Sequence, residues 1–167
     1  IPNMMDVGHF KVQKSPVKSR ENPVKIVFLG RLVERKGAGQ LIRALAFLRR
    51  QYKTVHPYEV VIGGKGPLFA ELDSYVSEHK LDDIVKFTGF VDEADKPAFL
   101  ASADIAVFPS TGGESFGISL IEAMAATPGV VIAGDNEGYR TVMEGSKKQL
   151  VDPYDIPSFA HLLASYI

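Results

Sequence analysis

Lys25-Ile26-Val27-Phe28-Leu29-Gly30-Arg31-Leu32-Val33-Glu34-Arg35-Lys36-Gly37 decides the fold. An unbroken apolar run enters a glycine loop rich in cations, and a helical pattern follows at once. In 38–53, Leu41, Ala44, Leu45, Leu48 and Tyr52 fall on one face, with Arg43, Arg50 and Lys53 opposite. A strand that is apolar without alternation is buried on both faces, as in a parallel sheet. Working outward, the same alternation recurs. Apolar runs at 58–62, 84–87, 104–108, 130–133 and 149–151 read as strands. Helical segments at 67–80, 93–102, 116–126 and 138–144, and a last one from 157, lie between or after them, with Pro67 placed in a first helical turn. The expected fold is α/β, a doubly wound parallel sheet of Rossmann-like type. No internal repeat is visible.

Such sheets bind ligands beyond the carboxyl ends of their strands. In the first of those loops Gly30 supplies the turn, and Arg31, Arg35 and Lys36 bring cations suited to phosphate oxygens. A surface loop with solvated charges is the alternative. Gly63-Gly64-Lys65-Gly66-Pro67 lacks the spacing of a Walker loop or a dinucleotide fingerprint and reads as a tight turn into a helix. Ser110-Thr111-Gly112-Gly113-Glu114-Ser115-Phe116-Gly117 carries the strongest signal. Its glycines permit close approach of a ligand, and the amides of Ser115, Phe116 and Gly117 open a helix, a natural anion site. Glu114 at the loop tip and Glu122, about six residues into the helix and roughly 9 Å along its axis, are spaced to hold a sugar and a ribose with a diphosphate between them. An acid near a helix start is also favoured by the helix dipole alone. Glu122 lies among Leu120, Ile121, Met124 and Ala125, so its carboxylate needs either a hydroxyl-rich ligand or an internal cation.

The 167 residues suffice for one domain with a core, and 46% hydrophobic with 23% charged residues is ordinary globular composition. The chain has no cysteine, which excludes disulfides and thiolate metal sites. No apolar run reaches the ~18 residues of a membrane span. Ile1-Pro2-Asn3-Met4-Met5 has no basic n-region and reads as a cut point rather than a signal peptide. Residues 1–53 carry twelve Lys+Arg against three Asp+Glu, whereas residues 54–167 carry seven against seventeen. The asymmetry suits an anionic partner near the first part, or simply a solvated basic helix face. None of the four histidines has an acid at catalytic spacing. No serine-nucleophile set, metal-ligand cluster or nucleic-acid module is present, so neither a metal nor a nucleic-acid partner is expected.

These residues together resemble the C-terminal domain of the retaining glycosyltransferases of family four, one half of a GT-B fold. The likeness covers nearly the whole chain. Ile1-Pro2-Asn3, Asp6 and Phe10 are similar to the family's interdomain linker, Gly30-Arg31 and Lys36-Gly37 to its diphosphate loop, and Gly64, Gly66 and Pro67 to the next loop. Glu114-Ser115-Phe116-Gly117 with Glu122-Ala123-Met124-Ala125 matches its E-x7-E signature. The resemblance implies residues 1–24 as linker or arm, residues 25–167 as the donor-binding domain of a larger enzyme, and an acceptor-binding N-terminal domain elsewhere. It also implies that Arg31 and Lys36 grip the diphosphate, that Glu114 and the Phe116 and Gly117 amides hold the donor sugar, and that Glu122 binds the ribose. Glu114, Arg31 and Lys36 would be the catalytic set, with Gly30 and Ser115 completing the donor site and no metal or other cofactor required. Val91-Asp92-Glu93-Ala94-Asp95-Lys96 is most similar to the phosphatidylinositol mannosyltransferases. That subgroup likeness implies GDP-mannose as donor, Glu93 and Lys96 at the guanine, a membrane-lipid acceptor, and a cytoplasmic protein peripheral at the inner membrane surface. Ala126-Thr127-Pro128-Gly129 departs from the family's turn. A non-catalytic sugar-nucleotide-binding module fits the same loops. A flavodoxin-like regulatory or nicotinamide domain fits less well, since the fingerprint after the first strand is absent.

Overall fold

A computed structural model describes residues 21–53, 56–115 and 117–167. Six strands, β1 (Val24–Leu29), β2 (Tyr58–Gly63), β3 (Val85–Gly89), β4 (Ile105–Phe108), β5 (Val130–Gly134) and β6 (Leu150–Val151), alternate with helices. These are α1 (Ala38–Gln51), α2 (Phe69–Glu78), α3 (Lys96–Ala101), α4 (Ile118–Ala126), α5 (Glu137–Val142) and α6 (Ile156–Tyr166). The sheet runs β3-β2-β1-β4-β5-β6 with every pairing parallel. The expected doubly wound, Rossmann-like architecture is therefore present. Its order reverses between β1 and β4, which opens a crevice where the loops after those strands diverge.

The unbroken apolar runs follow from covering both faces. On one side Ile26, Phe28, Val60 and Ile62 pack under Leu41, Leu45 and Leu48 of α1 and Phe159 and Leu163 of α6. On the other, Val27, Ala106, Phe108 and Ala133 meet Leu100 of α3, Leu120 and Ala123 of α4, and Tyr139 of α5. The edge strand β3 differs, alternating buried Val85 with exposed Lys86, and a charge there discourages pairing with another chain.

Three local expectations are corrected. Pro67 lies in a turn with Leu68, and α2 starts only at Phe69, because Phe69 N–H is tied back to the Gly66 carbonyl at 3.2 Å. Gly30 does not take a positive φ. The sharp turn falls on Gly37, at φ 80°, where a methyl group would strike the Pro109 carbonyl oxygen at 1.9 Å. Gly30 serves instead as the surface on which Gly64 lies, backbone against backbone. Finally, α4 begins at Ile118 rather than 116, after Gly117 in the left-handed region, so Glu122 is its fifth residue.

Candidate functional site

The loops after β1 and β4 are stitched together at the crevice. A 3-10 turn over Glu34–Lys36 leads into α1 and presents Arg35 and Lys36. The Arg35 carbonyl accepts from Thr111 N–H at 2.9 Å and lies 3.0 Å from Ser110 Oγ. Lys36 Nζ donates to Glu114 Oε1 at 2.6 Å, and Arg35 donates to the same oxygen at 3.3 Å and to the Gly113 carbonyl at 3.2 Å. Ser110 Oγ is also 3.0 Å from Glu114 Oε1. Glu114 is thus not a free acid at a loop tip: its side chain is 12% exposed, and every one of these bonds falls on Oε1. No bond within the protein occupies Oε2 among the described residues. Arg31 is exposed and has no hydrogen bond or ion pair among the described residues. Arg35 and Lys36 thus share the single negative charge of Glu114, and Arg31, close to them in sequence, is uncommitted among the described residues.

A second lock backs this loop. The buried Asn136 caps α5 by accepting from Tyr139 N–H at 3.0 Å, and its amide donates to the Ser110 carbonyl at 2.9 Å. The three loops after β1, β4 and β5 are therefore one hydrogen-bonded unit. In front of Gly112, Gly113 and Ser115 lies an open depression of about 830 Å³, bordered also by Asp135, Glu137 and Thr141. Its volume falls in the range of small-molecule sites. Ser115 lines it, and Gly117 precedes α4. Phe116 lies outside the described residues.

Glu122 is buried at 8% exposure on α4 and has no hydrogen bond among the described residues. Burial raises its pKa, Lys96 pulls it down and Glu93 pushes it up again. Lys96 and Glu93, paired to each other, are thus brought to Glu122, although 26 residues or more separate them in sequence. Lys96 acts on Glu122 only through space, so the internal cation considered from sequence is present as a neighbour but not as a bonded partner. Because the folded-state pKa is raised, the carboxyl favours the fold below the ordinary glutamate value and loses that contribution as pH rises through its own.

The site thus has a cationic end at Arg35 and Lys36, with Arg31 close by in sequence, an acid with one oxygen fixed, and a buried acid beside an ion pair. Ser110, Asn136 and Tyr139 were not singled out in sequence. Asn136 directly before a helical run was the one readable signal, as a cap. Among the described residues no group of three or more His, Asp or Glu side chains is arranged to hold a metal ion, and no helix is long and apolar enough to cross a membrane.

Residues 10–167 match the family described as Glycosyl transferases group 1. A phosphatidyl-myo-inositol mannosyltransferase of Mycolicibacterium smegmatis is 37% identical over 169 residues, 98% of this chain and 41% of that protein. The C-terminal domain of a glycosyl transferase group 1 family protein (LpcC) from Francisella tularensis superposes with a TM-score of 0.75 at 26% identity, covering 96% of this chain and 86% of that one. Anabaena Alr3699/HepE in complex with UDP-glucose gives a TM-score of 0.78 at 26% identity, covering 98% of this chain and 46% of that one. The chain spans 41% of the length of the mycobacterial relative.

Proposed function

The chain belongs to the glycosyl transferases group 1 family, and from that premise we propose that it is the donor-binding half of a two-domain, retaining hexosyltransferase. The donor in this reading is a nucleotide-diphosphate sugar, GDP-mannose, and the rest of the enzyme binds the acceptor. The observation that carries the reading is the meeting of Arg35, Lys36 and Glu114 at the point where the strand order reverses, with Arg31 unpaired beside them in sequence. The sugar would lie at Glu114, Ser115 and the Phe116 and Gly117 amides, the diphosphate at Gly30, Arg31 and Lys36, the ribose at Glu122, and the base at Glu93 and Lys96.

As the bond from the anomeric carbon to the phosphate oxygen breaks, negative charge grows on the diphosphate. Fixed cations and amides facing that oxygen stabilise the transition state without reorganising. Arg31, Lys36 and the amides preceding α4 take that role here, and the reading assigns none to a metal. The acceptor hydroxyl attacks the carbon from the same face that the phosphate leaves and its proton passes to the departing phosphate, so the sugar keeps its configuration. The mycobacterial relatives are named for phosphatidyl-myo-inositol, which supports a lipid acceptor; in this reading the enzyme is cytoplasmic and peripheral at the inner membrane surface.

Calorimetric titration with GDP and UDP tests the donor. GDP is expected to bind more tightly, with amide shifts at Glu93 and Lys96. Tighter UDP binding, or silence at those residues, would turn the reading to a UDP-sugar enzyme, the kind of ligand seen with the Anabaena protein.

The acids should divide the donor between them. Glu122→Ala is expected to weaken nucleotide and nucleotide sugar alike, by about tenfold for a lost charged hydrogen bond. Glu114→Ala should weaken only the sugar-bearing ligand. It also releases Lys36 from its 2.6 Å partner, so free nucleotide should bind as well as before or better. Equal losses of free nucleotide in both variants would refute this division.

A further inference from the structure

The turn from β5 into α5 touches the glycine loop backbone against backbone. A methyl group added at Gly134 would meet the Ser110 carbonyl oxygen at 2.1 Å. One added at Gly138, in the first turn of α5, would meet the Glu114 carbonyl oxygen at 1.8 Å and Glu114 Cβ at 3.1 Å. From the loop's side, one added at Gly117 would meet the Tyr139 ring at 3.1 Å. Gly138 does not take a positive φ, so its backbone conformation is open to other residues. What requires glycine there is the close approach of Glu114.

The turn is also fastened to the loop. Asn136 caps α5 on Tyr139 N–H at 3.0 Å while its amide donates to the Ser110 carbonyl at 2.9 Å. Ser110 Oγ in turn lies 3.0 Å from Glu114 Oε1. The opposite side of the loop is held as well. Thr111 N–H donates to the Arg35 carbonyl at 2.9 Å, and Lys36 and Arg35 grip the Glu114 carboxylate. Glu114 is therefore clamped between the cations that follow β1 and the first turn of α5. A side chain at position 138 would drive the Glu114 carbonyl away by more than about 1 Å, because carbon and oxygen do not rest closer than ~3 Å. A misplacement of about 1 Å can cost on the order of a hundredfold in a reaction that depends on position.

We propose that the first turn of α5 is the abutment that positions Glu114 for the donor sugar, with Gly138 as the positioning residue. This inference rests on the donor-binding reading above. Gly138 makes no contact with the donor in this scheme. It acts through Glu114, by leaving room for that backbone to lie where the carboxylate reaches both Lys36 and the sugar.

The test is Gly138→Ala, alone and together with Glu114→Ala. Gly145→Ala is the control, an exposed glycine with open space around it. Each protein is titrated with GDP and GDP-mannose, and with UDP and UDP-glucose, and melted without ligand. Gly138→Ala is expected to bind the sugar nucleotide about tenfold more weakly, the scale of a lost hydrogen bond to a charged group, while free nucleotide changes by less than about twofold. Added to Glu114→Ala it should cost less than about twofold more, since a carboxylate already removed cannot be displaced. Gly145→Ala should bind as the unaltered protein does. Equal losses of nucleotide and sugar nucleotide, additive losses in the double variant, the same loss in Gly145→Ala, or no loss at all would each overturn the proposal. Should Gly138→Ala fail to melt cooperatively, Asn136→Ser decides in its place, because serine keeps a helix cap but lacks the amide that reaches Ser110. It is expected to weaken the sugar nucleotide at least about threefold more than free nucleotide, and a uniform or absent change would overturn the proposal. If the unaltered protein binds neither nucleotide pair, the donor-binding reading fails and this inference with it. If Glu114→Ala singles out the sugar nucleotide and Gly138→Ala does not, the inference about α5 alone falls.

Discussion

Replacing Arg31 and Lys36 together with alanine is expected to lower nucleotide-diphosphate affinity by about two to four orders of magnitude and to leave the fold intact. Each side chain can offer charge-assisted hydrogen bonds worth roughly 1.5–3 kcal/mol, and about 1.4 kcal/mol is tenfold in affinity. The two should not contribute equally. Arg31 has no hydrogen bond or ion pair among the described residues to give up, so its whole gain appears on binding. Lys36 must exchange Glu114 for phosphate, and that exchange offsets part of its gain. Arg31→Ala alone is therefore expected to cost more than Lys36→Ala alone. The fold should tolerate both changes. Arg31 is exposed, and Glu114 keeps Arg35 and Ser110 when Lys36 is lost. Calorimetry on the double variant, with a melt as control for folding, decides the matter. An affinity unchanged at unaltered melting temperature would remove the cationic clamp from the reading.

How far this site was legible in the sequence depends on the range of the interaction. The strands were readable because burial on two faces leaves no room for alternation: Ile26, Val27 and Phe28 are all fully or almost fully buried although successive side chains point to opposite faces. Their boundaries came within one or two residues. The 3-10 turn over Glu34–Lys36 was not readable, since three residues have no periodicity to detect. The clamp residues were readable as types, cations after a strand and acids around a helix start. Their pairing was not. Lys36 and Glu114 are 78 residues apart, and they meet only because β1 pairs with β4, a fact of strand order that no local pattern encodes. The same holds for Ser110, Asn136 and Tyr139, which join the ends of β4 and β5. Ala126-Thr127-Pro128-Gly129 shows the converse case. Its departure from the family turn is accommodated where Thr127 N–H closes the helix on the Ala123 carbonyl, and Gly129 passes the Asp104 carbonyl so closely that a methyl group would meet it at 1.9 Å.

The 167-residue chain by itself is expected to bind a nucleotide, melt cooperatively and transfer no sugar. Its sheet is covered on both faces by its own helices, which supplies the core a single domain of this length needs to unfold in one step. The Francisella tularensis relative, solved as a C-terminal domain, has the same fold over 96% of this chain. In the proposed reading, the groups that bind the donor lie within the chain. Transfer demands more. An acceptor hydroxyl must be held against the anomeric carbon on the face that the phosphate leaves, and such positioning supplies roughly 7–11 kcal/mol, or about five to eight orders of magnitude in rate. Here Glu114 and the glycine loop border an open depression of about 830 Å³. In the reading proposed above, the wall that holds the acceptor and keeps water from the reacting carbon belongs to the other half of the enzyme. Open to solvent, the cations are screened and their effect on the leaving diphosphate is weakened. Joining an acceptor-binding half to the chain should restore transfer without altering the residues that bind the nucleotide. Radiolabelled donor, incubated with the chain alone and with the joined protein, distinguishes the two. Sugar transferred by the chain alone would show that this half already contains an acceptor site, and the division of labour between two domains would have to be given up.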